Sequence, residues 1–384
     1  MLPVQVRRVA TWSAPVGIVA IFMLLTLRAA TPSPSVIDQP LSEAVVRKDV
    51  PGVVAVATDR RGNIYQGAFG SADIETGRPM SPDALFRIAS MTKAVTSVAF
   101  MQFVEKGRIA LDDPAEKYLP ELGTVRVFRS FNAATGDYTL RPPAQPITIR
   151  HLLTHTSGLG YGFTSATVRD FKPKAGDQFA AGPLLFDPGT DWMYGTSTDW
   201  VGRLVEKLSG QDLEAYFQAH ILGPLGMTDT SYNVPAAKLP RVVGSSRRTG
   251  DRTFAAQSGQ TPQVITRFSG GGGLYSTAED YAKFVRMLLN GGEGNGVRIL
   301  KKETVALMGE NHSGRVTAHA VKAAQPDRSA DFTFIAEGRD NWGLGFLRSV
   351  DRVPGKRSPG SLSWGGLNNT YFWIVPARGV GGVI

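Results

Sequence analysis

Apolar positions along this chain change their period several times, and each change marks an element. Val53 to Thr58 is a compact β-branched run and Ile64 to Phe69 a second, with Arg60-Arg61-Gly62-Asn63 between them. That pattern predicts a β-hairpin opening a sheet. A short helix is expected before it, from Leu41 to Lys48, ending ahead of Pro51-Gly52. From Ser90 to Lys106 the apolar residues Val95, Val98, Ala99, Phe100, Phe103 and Val104 fall at helical spacing, and Gly107 reads as the C-cap. Further helices are expected at His151 to Thr154, Asp199 to Leu208 and Leu213 to Ile221. Gly270 to Gly273 form a turn that leads into Ser276-Thr277-Ala278-Glu279, a capping box for a helix from Asp280 to Leu289. Leu362 to Trp364 and Thr370 to Val375 read as late strands. Strands thus come from both chain ends, with a helical insertion between them and no internal repeat. The expected class is α/β (α+β): an antiparallel sheet flanked by helices, plus an all-helical lobe. The sheet lobe is expected over about 36–110 and 265–384, and the helical lobe over about 111–264.

Composition narrows the function classes. A chain of 384 residues with 42% hydrophobic and 20% charged positions is neither disordered nor a polytopic membrane protein. The net charge of +9 comes from scattered pairs such as Arg247-Arg248 and Lys301-Lys302. No long basic run with interleaved aromatics occurs, so a solvated basic surface is favoured over a nucleic-acid partner. With no cysteine, thiolate chemistry and cysteine metal sites are excluded, and the five histidines show no H-E-x-x-H spacing. No metal and no cofactor is expected.

The amino terminus adds a location. Arg7 and Arg8 precede the apolar stretch 14–27, followed by Arg28-Ala29-Ala30 and a Thr-Pro-Ser-Pro-Ser linker. Residues 1–35 therefore read as a signal peptide, or as a membrane anchor with its linker. The protein is expected to be exported: periplasmic, secreted or membrane-anchored. Arg28 sits awkwardly for a cleavage site, which keeps the anchor open.

Two clusters could do chemistry. Ser90-Met91-Thr92-Lys93 starts an apolar helix. Positions i and i+3 share a helix face, so hydroxyl and ammonium can enter one cavity, and the free N–H groups of a helix N-terminus favour an oxyanion there. Alone, Ser-x-x-Lys is a weak signal, better explained by an N-cap serine and a solvent-facing lysine. Tyr194 lies in a glycine-flanked loop, Asp187-Pro188-Gly189 to Gly195-Thr196, ahead of a helix. Moving a phenol from about 10 to about 7 takes roughly 4 kcal/mol, which a close lysine could largely supply. A packed core tyrosine would explain the same residue.

Together, the segments resemble the class C β-lactamase and penicillin-binding-protein superfamily. Ser90-Met91-Thr92-Lys93 is similar to its first signature, Tyr194-Gly195-Thr196 lies where the family carries Tyr-x-Asn, and Trp364-Gly365-Gly366 where it carries Lys-Thr-Gly. Gly107 to Pro114, Ile149 to Leu159, Pro224 to Met227 and Gly271 to Thr277 also look familial, and the resemblance runs from about residue 38 onward. It implies a β-lactamase/transpeptidase-like fold over 36–384. The departures are informative. Trp364 removes a cation for a substrate carboxylate, and Thr196 removes an amide that could bind an acylamido group. Trp-Gly-Gly in place of Lys-Thr-Gly resembles family VIII carboxylesterases and related acyltransferases, and both changes weaken recognition of penicillins and D-Ala-D-Ala ends. No Gly-x-Ser-x-Gly elbow occurs, which disfavours the α/β-hydrolase fold.

The resemblance implies a serine hydrolase, foremost a carboxylic ester hydrolase acting on a small-molecule ester or amide. Tyr194, kept partly ionised by Lys93, takes the Ser90 proton as Ser90 attacks. The oxyanion is expected between the N–H groups of Ser90 and Leu367, with Trp364, Gly365, Gly366 and Thr196 as neighbours of the substrate. A β-lactamase or D,D-peptidase, an acyltransferase and a catalytically silent envelope protein are the alternatives. The chain stops at Gly381-Gly382-Val383-Ile384, inside an expected strand, where the family usually continues into a closing helix. A truncated or shortened terminus is expected from this.

Overall fold

The computed structural model describes residues 34–384 apart from 251, 258–260, 335 and 337, so the expected leader at 14–27 lies outside the described residues. A helix α1 (Pro34–Val46) precedes the hairpin of β1 (Gly52–Asp59) and β2 (Asn63–Asp73), to which β3 (Arg78–Pro79) is added. The late strands are β4 (Asn341–Trp342), β5 (Leu347–Arg348), β6 (Leu362–Gly366), β7 (Thr370–Val375) and β8 (Val380–Val383). They join the first three in one sheet of order β4-β5-β6-β7-β8-β1-β2-β3, antiparallel at every pairing. Strand β8 therefore joins the late strands to the first hairpin, with Val383 opposite both Val56 and Phe372. Four successive residues of β1, Val53 to Val56, are buried. That continuous burial is the mark of a strand covered on both faces.

Helix α2 (Thr92–Glu105) runs through the interior, with every residue from Thr92 to Phe103 buried. The sequence suggested a helix with one apolar face, but this one is enclosed on all sides. Its polar residues tolerate burial because they are bonded: Thr96 Oγ1 donates to Gly270 O at 2.7 Å, and Gln102 Nε2 to Ile299 O at 3.1 Å. The helix expected from Asp280 is α6 (Ala278–Leu289), packed on β1, β7 and β8. Its N-cap is Thr277, whose side chain accepts from Asp280 N at 3.1 Å, one residue later than the expected Ser276, and Asp280 turns its carboxylate to Asp229 N instead of completing a box.

Between residues 111 and 264 lie α3 (Ile149–Thr154), α4 (Ser197–Ser209) and α5 (Leu213–Phe217). This lobe also carries hairpins at Val127–Phe131 with Tyr138–Arg141 and at Ser246–Arg248 with Phe254–Ala256. Phe171 packs against Phe128 and Tyr138 with ring centroids 5.2 and 5.0 Å away, which gives the first hairpin an aromatic face to cover. Helix α4 ends on Gly210 at φ 73°, a left-handed cap that glycine adopts without strain.

Candidate active site

Ser90 is not the first residue of the helix, as the periodicity implied. It sits in a 3-10 turn, Ala89–Met91, and the α-helix begins at Thr92. The residue before it, Ala89, has φ 43°, a left-handed conformation that costs a non-glycine residue free energy and persists only where its surroundings enforce it. They do so here. Ile88 N donates to Leu274 O at 3.0 Å, Leu274 N to Thr92 Oγ1 at 3.3 Å, and Tyr281 OH to Met91 O at 2.8 Å. Strand β6 passes so close that a Cβ on Gly366 would run into the Ile88 carbonyl oxygen. The turn is held from both sides, and Ser90 is left half-buried at its apex.

Lys93 follows within one turn and is 2% exposed. Its ammonium donates to Ser90 Oγ at 3.3 Å, Tyr161 OH at 3.1 Å and Gly271 O at 2.7 Å. Those three acceptors use all of its protons. Tyr194 meets the same cation by its ring face, 4.7 Å from centroid to Nζ. The structure thus brings Ser90, Lys93 and Tyr194 together. Of the two tyrosines, however, the one that accepts a hydrogen bond from the lysine is Tyr161, a residue the sequence did not single out.

The two tyrosines differ in what surrounds their hydroxyls. Tyr161 OH donates to Asp199 Oδ2 at 3.0 Å, and burial together with Asp199 pushes this phenol well above its ordinary value. Asp199, in the first turn of α4, also accepts from Ser269 Oγ and, at 3.2 Å, from Gly271 N. Tyr194 OH instead receives the indole N–H of Trp364 at 3.2 Å. Among the described residues no carboxylate takes its proton.

The loop that carries Tyr194 is anchored at both ends. Arg141 grips Asp187 through two bonds of 2.8 and 2.7 Å and holds that carboxyl down at about 2. At the other end a Cβ on Gly195 would collide with the Leu159 carbonyl, so only glycine lets the chain pass. Behind Tyr194 lies His155, which ends α3 with φ 59° and sets its ring 5.1 Å away at a tilt of 54°. Complete burial, with Lys93 nearby, drives the His155 ring well below the usual histidine value, so it is neutral. Trp192 and Trp342 complete this buried cluster. Half-buried Phe163, Phe332, Phe334 and Trp364 pack on its outer side and make an aromatic wall beside the tyrosine.

Of the remaining expected residues, Gly365 and Gly366 extend β6 past Trp364, and Leu367 follows at the strand end with 40% exposure. Thr196 is two residues past Tyr194 at the start of α4, and its hydroxyl bonds to none of the Ser90, Lys93 or Tyr194 side chains. No cluster of three His, Cys, Asp or Glu able to hold a metal ion occurs among the described residues.

Comparison with known proteins adds a lineage to this geometry. The family described as Beta-lactamase matches residues 37–384. Acyltransferase mokF of Monascus pilosus is 33% identical over 361 residues, covering 86% of this chain and 85% of its own. Lovastatin esterase of Penicillium rubens is 32% identical over 371 residues, covering 90% and 92%. Among solved structures, a LovD9 mutant of simvastatin synthase from Aspergillus terreus superposes with a TM-score of 0.75 at 30% identity, over 91% of this chain and 92% of that one. EstCE1, a hydrolase with promiscuous acyltransferase activity, shares the fold with a TM-score of 0.72 at 24% identity, over 93% and 94%.

Proposed function

Since the chain belongs to the β-lactamase family, an enzyme superfamily of serine hydrolases and acyltransferases, we propose that it is a carboxylic ester hydrolase working through an acyl-enzyme on Ser90. The observation that carries the reading is the buried Lys93 ammonium, in contact with Ser90 Oγ and facing the ring of Tyr194. A serine at the apex of a strained turn beside a buried cation is poor design for a packed core, and it suits a nucleophile whose proton must leave.

In this mechanism Ser90 Oγ attacks the ester carbonyl carbon while its proton passes to the oxygen of Tyr194, which enters the step as the phenolate. The negative charge that develops on the carbonyl oxygen meets the N–H groups of Ser90 and Leu367. Collapse breaks the bond to the alkoxy oxygen, which leaves as an alcohol with the proton from Tyr194. Water then attacks the Ser90 ester, gives its proton to Tyr194, and Ser90 recovers that proton as the acid departs.

A neutral ester suits this cleft better than an anionic β-lactam. At Trp364 the site offers an indole bonded to Tyr194 instead of a cation for a carboxylate. Transfer to an alcohol in place of water is the second reading, favoured by relatives named acyltransferase at comparable identity. Both share the first half-reaction. Hydrolysis of p-nitrophenyl butyrate by wild type and Ser90→Ala, with and without an added bulky alcohol, tests them. The proposal expects turnover lost in the variant; product partitioning toward a new ester would select the transferase reading.

A further inference from the structure

The proposed mechanism needs only one tyrosine, yet two lie against Lys93. We infer that Tyr161, with its hydroxyl proton committed to Asp199, is a positioning residue that offers Lys93 an oxygen acceptor and so fixes the ammonium between Ser90 and the ring of Tyr194. The inference rests on the Ser90 acyl-enzyme reading above and assigns residues that reading does not use.

Hydrogen-bond polarity carries the case. A phenol hydroxyl has one proton. Here Asp199 Oδ2 accepts it at 3.0 Å, so the contact of 3.1 Å from Lys93 Nζ can only be accepted by the Tyr161 oxygen. The same carboxylate holds Ser269 Oγ and Gly271 N through Oδ1. Gly271 supplies the closest acceptor of Lys93, its carbonyl at 2.7 Å. Asp199 therefore organises two of the three acceptors that surround the ammonium, and only Ser90 Oγ lies outside its reach. Burial and the neighbouring carboxylate keep Tyr161 protonated, which denies it the base role and leaves that to Tyr194. Phe163 stacks on the outer face of Tyr161 with centroids 4.9 Å apart, so the ring has little freedom to turn its oxygen away.

Asp199→Asn separates this role from a merely structural one. The fixed N–H of Gly271 keeps the amide oxygen on its side, so the new NH2 faces Tyr161. Tyr161 then confronts two donors, Lys93 and the amide, with its own proton left without an acceptor. Removing the hydroxyl with Tyr161→Phe relieves that conflict. The readout is the rate of Ser90 labelling by a fluorophosphonate, with kcat and KM on p-nitrophenyl butyrate and a thermal melt for each protein.

Tyr161→Phe is expected to slow labelling and kcat about tenfold, the order of one charge-assisted hydrogen bond, with KM within about twofold. Asp199→Asn is expected to be slower still, and the double variant to return to the Tyr161→Phe rate. Should Tyr161→Phe fail to melt as wild type does, slow labelling in a natively melting Asp199→Asn protein carries the test. Labelling of either folded single variant at the wild-type rate overturns the inference, as does a double variant slower than Asp199→Asn. Those results leave the Ser90 reading standing, whereas wild-type protein that does not label removes both.

Discussion

Trp364 Nε1 donates to Tyr194 OH at 3.2 Å, and the two rings lie 4.8 Å apart, so strand β6 and the loop before α4 meet at this pair. The indole N–H orients the phenol oxygen that, in the proposed mechanism, exchanges a proton with Ser90. Trp364→Phe keeps an aromatic ring and loses the donor. It is expected to lower kcat on a p-nitrophenyl ester by about three- to tenfold, a loss of roughly 1 kcal/mol for a neutral hydrogen bond, with native circular dichroism.

Gly366 makes a second prediction. With no room for a Cβ against the Ile88 carbonyl, Gly366→Ala must push β6 away from the turn that carries Ser90. Overpacking of this kind costs about 1–3 kcal/mol. A lowered melting temperature and slower fluorophosphonate labelling are expected together. Unchanged labelling in a destabilised protein would uncouple the strand from the nucleophile.

The neutral state of His155 predicts a pH dependence of stability. In the unfolded chain this ring takes up a proton near the ordinary histidine value of about 6.5, whereas in the folded protein burial and Lys93 hold its value well below that. The unfolded state thus binds more protons as pH falls, so stability is full above about pH 6.5 and declines below it. One such group contributes a slope of up to about 1.4 kcal/mol per pH unit. His151, His220 and His312 are shifted in the same direction by burial and add to the trend. His155→Asn, chosen because asparagine tolerates the left-handed backbone, is expected to reduce the slope between pH 6.5 and 5 in denaturant titrations.

Much of this arrangement was legible in the sequence. The hairpin, the helix behind Ser90 and the two late strands announce themselves through period and turn residues, and three short motifs bring Ser90, Lys93, Tyr194 and Trp364 into one family pattern. Three things were not legible. An alanine at φ 43° carries no sequence signal, because alanine is ordinarily found elsewhere on the backbone map, so the start of the helix was read at Ser90 and not at Thr92. Spacing states which residues share a cleft but not which atom of Tyr194 faces Lys93. Tyr161 and Asp199 lie on separate elements and meet only once α4 is docked. The available hint was small: Tyr161 stands two residues beyond the Thr156-Ser157-Gly158-Leu159 stretch, and an acid in a first helical turn reads as a partner of the helix dipole.

The contrast between esters and β-lactams yields a fourth expectation. With tryptophan at 364 in place of a cation, nitrocefin turnover is expected to be at least about tenfold below that of a p-nitrophenyl ester, the order of one lost charge-assisted contact. Comparable kcat/KM values on both would mean that another group receives the substrate carboxylate.

The central claim is that Ser90 carries the acyl group. Its most direct test is intact mass after rapid acid quench of wild type and Ser90→Ala with p-nitrophenyl butyrate, followed by peptide mapping. The account predicts one butyryl adduct on wild type alone, located in the peptide that contains Ser90. An adduct on another residue, or equal labelling of Ser90→Ala, would contradict it.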